Sequence, residues 1–265
     1  MKIVCLKGGL GNQMFEYCRF RDLMESGHDE VYLFYDHRRL KQHNGLRLSD
    51  CFELELPSCP WGIKLVVWGL KICRAVGVLK RLYDDEKPEA VLIDDYSQHR
   101  RFIPNARRYF FFRQFLAELQ SGFVQMIRAV DYPVSVHVRR GDYLHPSNSS
   151  FGLCGVDYFQ QAIAYVRKKR PDARFFFFSD DMEWVRENLW MDDAVYVEHT
   201  ELMPDYVDLY LMTLCRGHII SNSTFSFWGA YLAVDGNGMK IYPRRWFRDP
   251  TWTSPPIFSE EWVGL

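Results

Sequence analysis

Short apolar runs alternate along this chain with stretches whose apolar positions recur every three or four residues. That alternation predicts strands interleaved with helices, hence an α/β protein with mostly parallel strands. In the first half, Lys2–Leu6, Val31–Tyr35 and 90–93 read as strands. In the second half the strand candidates are 134–138, 174–178, 195–198, 218–221 and Lys240–Tyr242, each with a helical stretch before or after it. The helix expected over 157–169 shows the pattern. Asp157 can cap it, Phe159, Ala162, Ile163 and Val166 share one face, and Pro171 follows its basic end. A second helix is expected from Pro204 to about Cys215, and a third from Ser223 or Thr224 to about Ala233. Alternation this regular reads as a Rossmann-like nucleotide-binding half, which predicts an N-terminal domain over 1–130 and a C-terminal one over 131–265.

One stretch departs from the pattern. Residues 61–83 are apolar enough to suggest a membrane span, but five basic residues and no acid argue against a simple one. At about 100° per residue, Lys64, Lys71, Arg74 and Arg81 fall within roughly a quarter of the helix circumference. Leu65, Trp68, Leu70, Ile72, Leu79 and Leu82 occupy the other faces. Two readings stand. The helix buries its apolar side in the protein and solvates the basic stripe, or it rests on a membrane surface. Gly62, Gly69 and Gly77 count against one long helix and favour the first.

Composition narrows the function classes. The 265 residues are 48% hydrophobic, ample for a large core, and 33 basic residues against 34 acidic leave a formal charge of -1. No global electrostatic grip on nucleic acid follows from such a balance, so any anion must be held by a local cluster. The seven cysteines are scattered and form no CxxC or CxxH pair, which supports neither a zinc site nor a disulfide framework. Met1 leads straight into a strand-like run without a leader pattern. The expectation is a reduced, cytoplasmic protein, peripheral to the inner face of the plasma membrane if 61–83 touches lipid.

Four stretches carry candidate chemistry. The first is the glycine turn Lys7-Gly8-Gly9-Leu10-Gly11-Asn12-Gln13 after the opening strand, where backbone amides can approach a bound group at a helix start. Asn12 and Gln13 there are polar groups that packing does not require. With Asp36 past the second strand it suggests a dinucleotide site, but Met14 stands where the third glycine of that fingerprint belongs. The second is His137-Val138-Arg139-Arg140-Gly141-Asp142-Tyr143, expected at a strand's carboxyl end, where open α/β sheets bind ligands. Its arginines offer permanent charge and forked donors to a pyrophosphate. Strand alternation lets one of them reach a ligand while the other pairs with an acid, Asp142 being local.

The third is Ser221-Asn222-Ser223-Thr224-Phe225-Ser226, where hydroxyls and backbone amides converge at a positive helix start, more hydroxyls than one cap needs. In the fourth, Ser179-Asp180-Asp181, helix capping is a better account of the acids than metal binding.

These stretches in this order resemble the inverting α-1,2-fucosyltransferases of bacteria, plants and animals. KGGLGNQMF, VHVRRGDY, FFFFSDD and LMTLCRGHIISNSTFSFWGAYL carry the resemblance, with Tyr96-Ser97-Gln98 and Trp246-Phe247 as lesser matches. It implies a GT-B-like fold of two facing Rossmann-type halves, with GDP-fucose on the C-terminal half, a glycan acceptor on the N-terminal one, and no metal. Lipid-linked acceptors are common in bacterial glycan assembly. By position, the resemblance places Arg139 and Arg140 at the donor pyrophosphate, and His137 and Asp208 near the guanine nucleoside. Ser223, Thr224, Phe225 and Ser226 fall on the second phosphate and the fucose, and Asn12, in the turn with Gly9 and Gly11, faces the transfer site.

Arginine and a helix start can meet the charge of a departing nucleotide without magnesium. A base for the acceptor hydroxyl is harder to read: Asp142 and His145 are the nominees, in a loop that continues Pro146-Ser147-Asn148 without a glutamate. Two other classes use overlapping motifs. One is an NAD(P)-dependent oxidoreductase built on the Gly8–Gly11 turn, which leaves the arginine pair unexplained. The other is a non-catalytic sugar-nucleotide binder, separable only by turnover.

Overall fold

The computed structural model describes residues 1–41, 44–84, 87–119, 122–145, 148, 150–198 and 203–265. They form two compact units, Met1–Arg113 and Gln114–Leu265. The N-terminal unit runs β1 (Lys2–Leu6), α1 (Leu10–Glu25), β2 (Val31–Tyr35), α2 (His37–Leu40), α3 (Leu48–Cys51), α4 (Trp61–Ala75) and β3 (Leu92–Ile93). Its three strands are parallel in the order β2-β1-β3, with Lys2 opposite Val31 and Leu6 opposite Tyr35. Ile3, Cys5, Phe34 and Leu92 pack with Val67 and Leu70 of α4 in one cluster, while α1 packs on β1 and β2 through residues such as Met14 and Phe15.

The basic stripe expected over 61–83 is cut short after Arg74. The helix ends at Ala75, because Gly77 (φ 76°) reverses the chain in a left-handed conformation. The Val78 amide bonds the Cys73 carbonyl and the Gly77 amide bonds Arg74, the paired closure that glycine permits at a helix end. Arg81 is therefore off the helix, and Lys71 and Arg74 turn toward Asp94 at 3.8 and 3.5 Å.

The C-terminal unit holds α5 (Gln114–Ala117), α6 (Gly122–Arg128), β4 (Tyr132–Val138), α7 (Val156–Lys169), β5 (Ala173–Ser179), α8 (Met182–Asn188), β6 (Val195–Tyr196), α9 (Tyr206–Leu214), β7 (Gly217–Ile219), α10 (Thr224–Tyr231), β8 (Lys240–Tyr242) and β9 (Val263–Gly264). All six strands are parallel, in the order β6-β5-β4-β7-β8-β9. The unit begins earlier than residue 131 because α6, with Val124 and Ile127 buried, packs on α9. Gly155 rather than Asp157 precedes α7, and Asp157 lies inside its first turn, still on the favourable end of the dipole.

Every residue of β4 is buried, and so are Phe175, Phe176, Phe177 and Phe178 of β5, as expected of a parallel sheet covered on both faces. From β4 the chain moves outward to β5 and β6, then returns to the other side of β4 with β7, β8 and β9. The direction of winding thus reverses between β4 and β7, and a crevice opens at the carboxyl ends of strands at such a point.

Candidate functional site

Three of the four stretches singled out in the sequence come together at the carboxyl ends of β4, β5 and β7. His137, near the end of β4, places Nδ1 3.2 Å from Ser221 Oγ, just past β7, and its ring lies 5.6 Å from that of Phe225. Tyr143 donates its hydroxyl to the Asn222 carbonyl at 3.0 Å, tying the loop after β4 to the loop after β7. Burial pushes that phenol up, and Arg139 opposes the rise. Asn222, itself buried, donates to the carbonyls of Gly152 and Trp246 at 2.6 and 2.8 Å.

The arginine pair sits beyond the last residue of β4, and both members are engaged. Arg139 lies 2.8 Å from Asp142 through Nη2 and 3.1 Å from Asp180 through Nη1. Burial works against its charge, but Asp180 and Asp142 outweigh that and hold the guanidinium above its ordinary range. Arg140 meets Asp181 Oδ2 through Nε at 3.0 Å, lays its plane 4.0 Å from the centre of the Trp184 ring, and gives its backbone amide to Asp180 at 2.8 Å.

Sequence reasoning supplied Asp142 as a partner for one arginine but missed Asp180 and Asp181 as partners of the pair. Their position at the end of the adjacent strand was the available signal, since Val138 and Ser179 are opposite in register. Asp181 also performs the expected capping, accepting from the Trp184 amide at 3.2 Å. Gly141 packs closely here: a Cβ on it would stand 2.7 Å from Asp180 Oδ2, so that carboxylate would have to shift.

The serine-rich turn divides between surface and core. Ser223 precedes α10, and Thr224 and Phe225 are half-buried in its first turn. Ser226 is not at the surface. It is fully buried, and its hydroxyl donates to the Ser223 and Ser221 carbonyls at 3.0 and 3.3 Å. Asp208 is buried within α9, which packs on α10. His145 ends the short turn after the arginines, and Pro146 and Ser147 beyond it lie outside the described residues. His145 lines a cavity of about 780 Å³ with Tyr143, Phe151, Tyr158, Arg245 and Arg248; the two later arginines carried no signal in their sequence neighbourhood.

Beneath the crevice His218 of β7 is fully buried, its Nδ1 2.8 Å from Ser135 Oγ. Burial, with Lys240 nearby, pushes its pKa down to about 3, so it is a neutral core residue. Among the described residues no group of three or more His, Cys, Asp or Glu is placed to hold a metal ion.

In the N-terminal unit, the glycine turn joins β1 to α1. Gly8 takes φ 68°, and a Cβ there would come within 2.7 Å of the Asn12 side chain. Gly9 precedes the helix with open space where a Cβ would be, so its backbone is approachable, whereas Gly11 is buried. Asn12 Oδ1 accepts from Gln98 Nε2 at 3.0 Å, which brings in the Tyr96-Ser97-Gln98 stretch. Gln13 corrects the expectation of a polar group unneeded by packing. It is fully buried, donates to the Gly8 and Gly45 carbonyls, both at 2.9 Å, and accepts from the Arg47 amide at 3.1 Å. Glu16 below it accepts from the Lys7 amide at 2.8 Å, and burial raises its pKa far above the usual carboxylate range. Asp36, the acid of the dinucleotide reading, accepts from the Arg38 amide at 2.9 Å at the start of α2.

Comparison with known proteins bears on the family and the fold. The model of glycosyl transferase family 11 matches residues 105–265. The chain is 26% identical to the O-antigen biosynthesis glycosyltransferase WbnK of Escherichia coli, over 98% of this chain and 99% of that one. It is 28% identical to an alpha-1,2-colitosyltransferase of Escherichia coli, over 98% and 97%. With the human galactoside alpha-(1,2)-fucosyltransferase 1 it shares 32% identity, over 54% of this chain and 42% of that one. Among solved structures, fucosyltransferase NodZ from Bradyrhizobium superposes with a TM-score of 0.54 at 16% identity, covering 87% of this chain and 92% of that one. The likeness supports the GT-B-like α/β fold expected from the sequence.

Proposed function

The chain belongs to glycosyl transferase family 11, and on that premise we propose that it moves L-fucose, or its 3-deoxy relative colitose, from a GDP-linked donor to a glycan hydroxyl. The hydroxyl proposed is the 2-OH of a terminal galactose, and the product an α-1,2 linkage formed with inversion. One observation carries the reading: an arginine pair and a serine-rich helix start stand at the carboxyl ends of β4 and β7, where the winding of the sheet reverses. Relatives named for fucosyl and colitosyl transfer support the donor class.

The chemistry follows from these groups. The acceptor oxygen attacks the anomeric carbon as the bond from that carbon to the β-phosphate oxygen breaks, and GDP departs with the negative charge. Arg140 offers its terminal nitrogens, for which no hydrogen bond is seen among the described residues, and Asp181 and Trp184 hold the guanidinium in place. Preorganised donors of this kind stabilise charge that grows in the transition state. The α10 start adds its dipole and amides.

Of the two nominated bases, Asp142 is bound to Arg139 and reads as a positioning carboxylate, which leaves His145, on the wall of the neighbouring cavity, as the candidate base. On this reading arginine replaces a divalent ion.

The test is transfer from GDP-fucose and from GDP-colitose to a panel of galactose-terminated acceptors, with linkage and anomeric configuration read by NMR. An α-1,2 product from either donor is expected. A retained configuration, or turnover with neither donor, overturns the reading. A rise in melting temperature with GDP but not with NAD(H) separates it from an oxidoreductase.

A further inference from the structure

The helix that interrupts the strand–helix pattern presents a row of large apolar residues to solvent. Trp61, Leu65, Trp68, Ile72 and Val76 are 65, 50, 53, 65 and 66% exposed. Their spacing of four, three, four and four residues places them within an arc of about 80°. Trp61 and Trp68 meet edge to face, with ring centres 6.2 Å apart. Past the helix end, Val78 and Leu79 continue the exposed apolar surface. The opposite side of the same helix is already spent, because Val67 and Leu70 are buried against Phe34 and Leu92. A helix apolar on two opposed faces needs a second apolar environment, and a contiguous exposed apolar patch marks an interaction site.

The charges indicate which environment. Between Pro57 and Tyr83 there is no aspartate or glutamate. Lys71 and Arg74 share one carboxylate with Lys7, that of Asp94 just past β3, so positive charge stays in excess there. Lys64 borders the stripe, and Lys80 and Arg81 follow it on the exposed turn; none of the three makes an ion pair among the described residues. A patch of tryptophan and aliphatic side chains flanked along the chain by cations complements a surface that is apolar within and anionic at its rim. Tryptophan rings favour that boundary, and basic residues are drawn to anionic lipid. No helix among the described residues is long and apolar enough to cross a membrane, so the contact lies in the plane of the surface.

We propose that α4 and the turn after it dock this protein on an anionic phospholipid surface, with Trp61, Leu65, Trp68, Ile72 and Val76 entering the interface and Lys64, Lys80 and Arg81 meeting headgroups. A glycan acceptor carried on a lipid would be presented at that same surface.

The experiment uses the full chain and vesicles of phosphatidylglycerol and phosphatidylethanolamine, beside vesicles of phosphatidylcholine alone. Co-sedimentation with the anionic vesicles, a blue shift of tryptophan emission and weakening by salt are expected. Trp68→Glu with Ile72→Glu should reduce binding at least tenfold at unchanged melting temperature, since both side chains are exposed. Lys64→Glu with Lys80→Glu and Arg81→Glu should weaken binding and flatten its salt dependence. Transfer to a soluble acceptor should be the same in all of these, which keeps this test apart from that of the activity. No binding to anionic vesicles at low salt, or binding indifferent to Trp68→Glu with Ile72→Glu, overturns the proposal. So does a concentration-dependent dimer abolished by the same pair without any vesicle binding, because the stripe then belongs to a second copy of the chain.

Discussion

The two loop-to-helix turns of this protein look alike in composition and differ in how their polar groups are used. The turn between β1 and α1 consumes its side chains internally: Gln13 laces Gly8 to Gly45 and Arg47, Glu16 holds the Lys7 amide, and Asn12 is joined to Gln98. What it leaves for a ligand is backbone, at Gly9. The turn between β7 and α10 also spends Ser226 on its own carbonyls and Asn222 on those of Gly152 and Trp246, but it lies beside a strand whose end carries two guanidinium groups. Polar residues in a tight turn are first of all what the turn itself requires, since buried backbone groups must be paired. Charge that the turn does not need is the better guide to chemistry.

Substitutions can break this comparison, and the largest effect belongs to the arginines. Arg140→Ala should lower kcat/KM by about 10²–10³, equivalent to roughly 3–4 kcal/mol of barrier, at little change in melting temperature. Activity within a few-fold of the parent removes Arg140 from the mechanism. Arg139→Ala frees two carboxylates where Arg140→Ala frees one, so it should cause the greater fall in melting temperature.

Gln13→Leu should behave in the opposite way. It strips partners from two carbonyls and one amide in a buried site, at a cost of about 2–3 kcal/mol by chemical denaturation. A stable variant with impaired transfer would instead make Gln13 a ligand contact.

His218 gives a smaller, pH-dependent effect. Its folded pKa of about 3 lies below the ordinary value near 6.5, so the unfolded chain binds the extra proton. The stability it contributes is fully present above pH 6.5 and is lost as pH falls toward 3, at up to about 1.4 kcal/mol per pH unit. Urea midpoints between pH 7.5 and 4.5 should fall less steeply in His218→Asn than in the parent; parallel curves would place the titration elsewhere.

The smallest expected effect is none: transfer should survive excess EDTA, because the proposed donor site uses arginine in place of a divalent ion. Loss of activity restored by magnesium or manganese would overturn that assignment.

Much of the architecture was legible because periodicity and burial coincide in it. β1, β2 and β8 fall where expected, and β4 and β5 extend only one or two residues further, since strands covered on both faces read as mostly apolar runs. β9, two residues near the end, had no such signal; it exists because β8 offers an edge.

The sequence by itself determined the fold class, the position of the arginine motif at a strand end and the family pattern, all of which depend on neighbours along the chain. Only the tertiary structure decided that Asp180 and Asp181 bind the arginines, that Ser226 and Gln13 face inward, and that α4 turns tryptophans rather than lysines to solvent. The last two follow from packing. Gln13 is needed where two loops leave unpaired carbonyls, and the face α4 buries is the one its sheet can cover, with Asp94 drawing Lys71 and Arg74 to the protein. Partners of that kind are distant in sequence, and helical periodicity reports which residues share a face without saying which face the rest of the chain will cover.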